Sequence, residues 1–393
     1  MNLISDENRY GDDKVYDACG LIGIMDVTGQ RFSGHDIVKG IVNMTERGNG
    51  LGAGFAVYGC YPEHADCYAF HVMYTEPESR PQVERFLKTH FIVVYDEEVP
   101  HHPTPGLHYP PLIWRYFVRV DENDPDRDPQ DEAEYVVAQV MAVNTAGLGA
   151  YIYGSGVNVG VFKGVGYPEQ IASYFGIAEY EGYMWTAHNR FPTNTPGWWG
   201  GAHPFALLDW TVVHNGEISS YGTNRRYLEM QGYHCTMYTD TEVMAYAADF
   251  LMRRHNLSVE VAAKVMAPPL WIEIERMTPG EQDLYRTLRQ VYAGLLVNGP
   301  FTVIITRQGE MIGLTDRIRL RPLTAAVQDN RLYLSSEEAS IRLISPQLQR
   351  VWTPVGGEPV IGRLGISLQP AEAAPWPEFA QRSEQPLALE PVA

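Results

Sequence analysis

Residues 185–217, WTAHNRFPTNTPGWWGGAHPFALLDWTVVHNGE, constrain this chain more than any other stretch. The run gathers an arginine, three histidines, three asparagines and paired tryptophans, with almost no helical or strand periodicity. It is too polar for a core and too aromatic for an idle loop. Apolar pieces at residues 183–187 and 207–213 read as buried strands. The polar residues therefore fall at strand ends and in the loop between, where a scaffold presents binding groups. A small polar ligand is expected there.

Around this stretch, strand-like runs alternate with amphipathic helices, which predicts a layered mixed α+β fold of one large domain. Residues 19–26 (CGLIGIMD) read as a strand buried on both faces, and apolar positions from 35 to 47 recur at helical spacing. Strands and loops alternate over 61–120. Residues 121–134 read as a charged, proline-broken surface connection, and 135–143 fits helix or strand equally. The glycine-rich 147–166 lacks the phosphate-loop patterns, so tight hairpins are expected. Asn224 is expected to cap a short helix. Thr239 with Glu242, and Thr278 with Glu281, read as capping boxes. Strands at 301–306, 311–314 and 331–335 suggest a meander. The acidic residues 1–18 and the Pro-, Ala- and Glu-rich residues 371–393 stand apart as a leader and a disordered tail, leaving 19–370 as the domain.

A formal net charge of -18 argues against nucleic acid or an anionic membrane as the main partner. No apolar run reaches bilayer length and residues 1–18 lack a signal pattern, so a cytoplasmic protein is expected. Cys19, Cys60, Cys67 and Cys235 form no CxxC pair or zinc-like spacing. The spacing of His188, His203 and His214 matches no usual metal site, so they are expected as hydrogen-bonding scaffold, with no metal.

Several groups in and near the central stretch suit one kind of ligand. Asn215-Gly216 after a buried strand offers a side-chain amide and a backbone N–H to one point, a donor pair for a developing oxyanion. Arg190 presents a planar fork for a carboxylate. Asp240, expected in the first turn of its helix, can receive an ammonium group. Together they fit an amino acid carrying a side-chain carbonyl, and Cys19 supplies a nucleophile.

Here the chain resembles the class II, N-terminal-nucleophile glutamine amidotransferases, in particular the archaeal-type glutaminase domain of glutamate synthases. The resemblance rests on Cys19-Gly20, on HNRF (188–191) with Thr193-Asn194-Thr195, on AHPF (202–205), on HNGEI (214–218) and on TDTE (239–242). DRIRLRPL (316–323) and Ser335-Ser336-Glu337 extend it. It implies a four-layer αββα N-terminal-nucleophile hydrolase fold. It further implies Cys19 as nucleophile through a thioester, and Asn215 with the Gly216 N–H as oxyanion hole. Arg190 and Asp240 would hold the glutamine α-carboxylate and α-ammonium, with Thr193 and Asn194 among the substrate-binding residues. L-Glutamine would be hydrolysed and its ammonia passed to a separate glutamate synthase-type subunit. FMN and iron–sulfur clusters are expected on that partner and no cofactor on this chain.

Cys19 departs from the simplest family pattern by following eighteen residues. The free α-amine that serves as base requires cleavage between Ala18 and Cys19, because a peptide nitrogen cannot take a proton at neutral pH. The alternative is a non-catalytic assembly or regulatory subunit that keeps the leader. An N-acyl hydrolase is a third reading, against which the Arg190–Asp240 pairing speaks.

Overall fold

Strand Gly20–Asp26 is buried along its whole length and sits near the middle of a seven-stranded sheet. The computed structural model describes residues 18–107, 109–121, 131–192 and 197–368. The sheet runs in the order Arg350–Trp352, Thr324–Gln328, Arg331–Ser335, Gly20–Asp26, Met184–Asn189, Ala53–Tyr58, Val159–Gly164. Each neighbouring pair is antiparallel. A five-stranded sheet, in the order Phe205–Leu207, Trp210–Gly216, Phe301–Arg307, Glu310–Thr315, Val360–Arg363, packs face to face on it.

Alternation along the first strand explains the layering, because successive side chains leave on opposite faces. Ile22 points outward to helix His35–Val42, where Gly40 admits its Cδ1. Gly23 points inward to Met311 and Ile304 of the second sheet. Helix Glu338–Ile344 lies beside His35–Val42, and helix Glu242–Ala248 covers the far face of the second sheet. The result is the helix–sheet–sheet–helix sandwich that the resemblance implies.

A third sheet was not legible in the sequence. It runs Phe91–Glu98, Leu112–Val120, Tyr68–Tyr74, Ala150–Gly154. Strands Ala150–Gly154 and Val159–Gly164 therefore enter two different sheets, and the hairpin expected over 147–166 does not form. The expected meander is likewise split: Phe301–Arg307 pairs with Glu310–Thr315, whereas Arg331–Ser335 pairs with the first strand. Residues 135–143 belong to helix Glu132–Thr145, whose N-cap Asp131 accepts from the Glu134 N–H, so the surface connection ends earlier than its composition suggests. Asn224 is no cap, since helix Tyr221–Glu229 starts before it. Its buried amide instead donates to the Gly294 and Leu296 carbonyls. The Thr278 box forms as expected. Residues 1–17 of the leader and all of 371–393 lie outside the described residues.

The close approach of the two sheets at Gly23 gives a stability test. A Cβ there would stand 2.9 Å from Met311 Sδ and 3.2 Å from Ile304 Cδ1. Gly23→Val is expected to cost about 1–3 kcal/mol through overpacking, read as a lower urea midpoint at unchanged slope.

Candidate active site

Cys19 lies just ahead of the first strand, where Gly20 pairs with Asn189. That register brings the chain after Asn189 back over the thiol. The Phe191 N–H donates to Cys19 Sγ at 3.2 Å, and the thiol lies 3.8 Å from the Phe191 carbonyl. Arg47 Nε donates to the Cys19 carbonyl at 2.9 Å and its Nη1 pairs with Glu337 Oε1 at 2.7 Å. Burial pushes the Cys19 thiol pKa up, while the Phe191 N–H and the nearby Arg190 charge pull it back. Left to itself, the thiol is protonated at neutral pH and needs a base to act as a nucleophile.

A cavity of about 210 Å³ opens beside it, bounded by Cys19, Arg190, Gly216, Asp240 and the rings of Tyr221 and Tyr238. Arg190 is buried at the end of strand Met184–Asn189, with its N–H on the Gly52 carbonyl at 2.8 Å. Asp240 sits in the turn before helix Glu242–Ala248, and its Oδ2 accepts the Ile218 N–H at 2.9 Å.

The expected Thr239–Glu242 box is absent, so Asp240 is not in the helix's first turn. Glu242 turns back past it to accept the Thr236 and Met237 N–H groups at 3.0 and 2.9 Å, and these claim the carboxylate that a box would need.

Strand Trp210–Gly216 delivers two groups on opposite faces. His214 faces the helix layer and Asn215 the sheet interface, where its Nδ2 donates to Ser336 Oγ at 3.3 Å. Asn215 is buried, and Gly216 beside it lines the cavity. At φ +144 with a Cβ position 1.9 Å from the Pro300 carbonyl oxygen, Gly216 admits no side chain. Thr193 and Asn194 lie outside the described residues.

Three buried histidines back the site. His203 Nε2 and His214 Nδ1 meet Thr241 Oγ1 at 2.8 and 3.0 Å, and the His188 Nε2–H donates to the His214 carbonyl at 2.8 Å. The His188 and His203 rings lie 3.9 Å apart, centre to centre. Burial holds all three neutral: His188 falls to about 3, His203 well below its ordinary value, and burial lowers His214 against the opposing charges of Asp240 and Glu217. Among the described residues no cluster of His, Cys, Asp and Glu is arranged to hold a metal ion. No helix among them is long and apolar enough to cross a membrane.

Sequence reasoning missed Arg47, Tyr221 and Tyr238. Nothing local in TERG shows that the arginine reaches a carbonyl 28 positions earlier.

The family model for class-II glutamine amidotransferases matches residues 104–351. An uncharacterized protein of Archaeoglobus fulgidus is 56% identical over 355 residues, covering 90% of this chain and 94% of that one. The glutamine amidotransferase-like protein GlxB of Rhizobium meliloti is 27% identical over 207 residues, 52% of this chain and 59% of that one. A glutamate synthase [NADPH] large chain of Bacillus subtilis is 24% identical over 260 residues, 59% of this chain and 16% of that one. The chain belongs to the class-II glutamine amidotransferases, and its paired sheets between helical layers form the N-terminal-nucleophile hydrolase sandwich. The matched span includes Arg190, Asn215, Gly216 and Asp240 and begins downstream of Cys19.

The neutral histidines make stability depend on pH with a definite sign. Unfolded, each takes up a proton near 6.5; folded, each resists it, His188 down to about 3. Their contribution is complete above pH 6.5 and is lost as pH falls, by up to about 1.4 kcal/mol per unit for each histidine. Glu242, whose pKa burial raises, binds its proton more readily when folded and offsets part of this loss. The urea midpoint is expected to drop clearly between pH 7 and pH 5. A flat midpoint would mean that the histidines are not held neutral.

Proposed function

We propose that this chain is a glutaminase subunit that hydrolyses L-glutamine to glutamate and ammonia and passes the ammonia to a separate glutamate synthase-type subunit. One observation carries the reading: a cavity smaller than a drug-sized pocket is bounded by a thiol, a buried guanidinium and two carboxylates, Asp240 and Glu217. Those groups suit one amino acid, its α-carboxylate on Arg190 and its α-ammonium on Asp240, with its side-chain amide toward Cys19. The family supports glutamine as the substrate, and the partial likeness to a glutamate synthase large chain supports the acceptor.

In this reading cleavage after Ala18 frees the α-amine of Cys19, which takes the thiol proton as Sγ attacks the amide carbonyl. The Asn215 amide and the Gly216 N–H stabilise the oxyanion; Asn215 has a second amide hydrogen beyond the one given to Ser336. The ammonium formed at Cys19 protonates the departing nitrogen, the C–N bond breaks and a thioester remains. Water, deprotonated by the same amine, hydrolyses the thioester to glutamate and restores the thiol. Arg47 holds the Cys19 carbonyl, so that amine and thiol keep their places through both halves. Thr193 and Asn194, which follow Arg190 in the sequence, would add to the substrate contacts as the resemblance implies. FMN and iron–sulfur clusters belong to the synthase partner in this scheme.

The test is the intact mass and N-terminal sequence of protein from its native source, followed by a glutaminase assay. A chain starting at Cys19 is expected to release ammonia from L-glutamine, and Cys19→Ala to lose at least about 1000-fold in kcat. Full activity in a chain that retains Ala18, or in Cys19→Ala, would sink the mechanism.

A further inference from the structure

We propose that Lys163 and Glu242 are positioning residues for substrate recognition: a buried charge pair that fixes the two loops flanking Arg190 and Asp240. The proposal rests on the glutaminase reading above and adds to it residues outside the candidate cavity.

Both side chains are almost completely buried, at 2% exposure each. They line the same internal cavity of about 10 Å³, room for roughly one water molecule. Burial pushes the Lys163 ammonium down to about 7 and the Glu242 carboxyl up, and the charge of each side chain opposes the other's shift.

Each charge also ends on backbone. Lys163 Nζ donates to the Gly200 carbonyl at 2.9 Å and stands 4.3 Å over the Phe205 ring. Glu242 accepts the Thr236 and Met237 N–H groups and the Tyr246 hydroxyl, the last at 2.8 Å. The loops so held are joined by Trp198 Nε1, which donates to the Met237 carbonyl at 3.2 Å.

These are the loops that flank the recognition groups. A Cβ on Gly201, next to the anchored Gly200, would stand 3.2 Å from Arg190 Nη1. Met237 leads through Tyr238, at φ +57, and Thr239 into Asp240. Burying two charges is costly, and apolar side chains of like volume often stabilise a protein as well or better. Apolar groups could not hold the Gly200 carbonyl or the Thr236 and Met237 N–H groups. A role in holding the loops accounts for the charges; a role in packing does not.

The α-groups of glutamine lie away from the reacting amide, so their contacts are equal in ground and transition states. Misplacing Arg190 and Asp240 should therefore raise KM and spare kcat. Lys163→Met, Glu242→Gln and the double variant are measured for glutamine hydrolysis alongside thermal unfolding. Lys163→Met is expected to raise KM about tenfold with kcat changed less than about threefold. The double variant, with no unpaired buried charge, is expected to recover part of that loss.

A purely structural role would lower the folded fraction, hence apparent kcat and melting temperature, and leave KM alone. That pattern, or losses that simply add in the double variant, would overturn the proposal. Glu242→Gln, nearly isosteric, supplies the same comparison if Lys163→Met does not fold. Calorimetric binding of L-glutamine in a Cys19→Ala background separates the two readings. Binding without turnover by the wild type removes the glutaminase reading. Unchanged affinity in the Lys163 and Glu242 variants removes the positioning role, and no binding at all removes both.

Discussion

The antiparallel pairing of strand Gly20–Asp26 with Met184–Asn189 is the constraint on which the site depends. It places Gly20 opposite Asn189, so the residues just before one strand and just after the other must share a sheet end. Cys19 and Phe191 meet there through an N–H to sulfur contact, with Arg190 between strand and loop. The second neighbour, Arg331–Ser335, brings Ser336 to the same end. Its Oγ accepts from the Leu21 N–H at 3.2 Å and from Asn215 of the opposite sheet. One short strand thus gathers residues from three distant parts of the chain, and a single hydroxyl ties the two sheets together beside the nucleophile.

Electrostatics then divide the site into a neutral floor and a charged cavity. His188, His203 and His214 are buried deeply enough to stay uncharged; His203 and His214 line the cavity beside Thr241, and His188 supports them through the His214 carbonyl. The charged side chains, Arg190, Asp240 and Glu217, stand on the cavity wall. Neutral support matters because a positive floor would compete with Arg190 for a carboxylate and repel an ammonium group. Lys163 and Glu242 lie behind this arrangement, lining one small internal cavity and bonded to backbone groups.

Legibility followed the range of the interaction. The first strand, the helix opening at His35 and the Thr278 capping box were readable because periodicity and capping act over a few residues. The Thr239–Glu242 box looked just as good and does not exist. Its carboxylate finds better donors in the preceding loop, and a local pattern cannot register that competition. Asn224 failed as a cap for the same reason, its amide satisfied by carbonyls some 70 positions away. The third sheet was hidden because strands that alternate evenly do not say which sheet they join.

The sequence by itself determined the alternation of buried strands with amphipathic helices and the residue types of the candidate site, Cys19, Arg190, Asn215, Gly216 and Asp240. Their order and chemistry were enough to suggest an amino-acid amide as ligand. Only the tertiary structure decided that Cys19, Arg190, Gly216 and Asp240 bound one cavity, with Asn215 buried beside Gly216. It alone showed that Arg47 grips the Cys19 carbonyl and that Lys163 and Glu242 line one internal cavity. The physical reason is that side-chain chemistry is written residue by residue. Proximity arises from strand register and burial, which sum contributions from the whole chain.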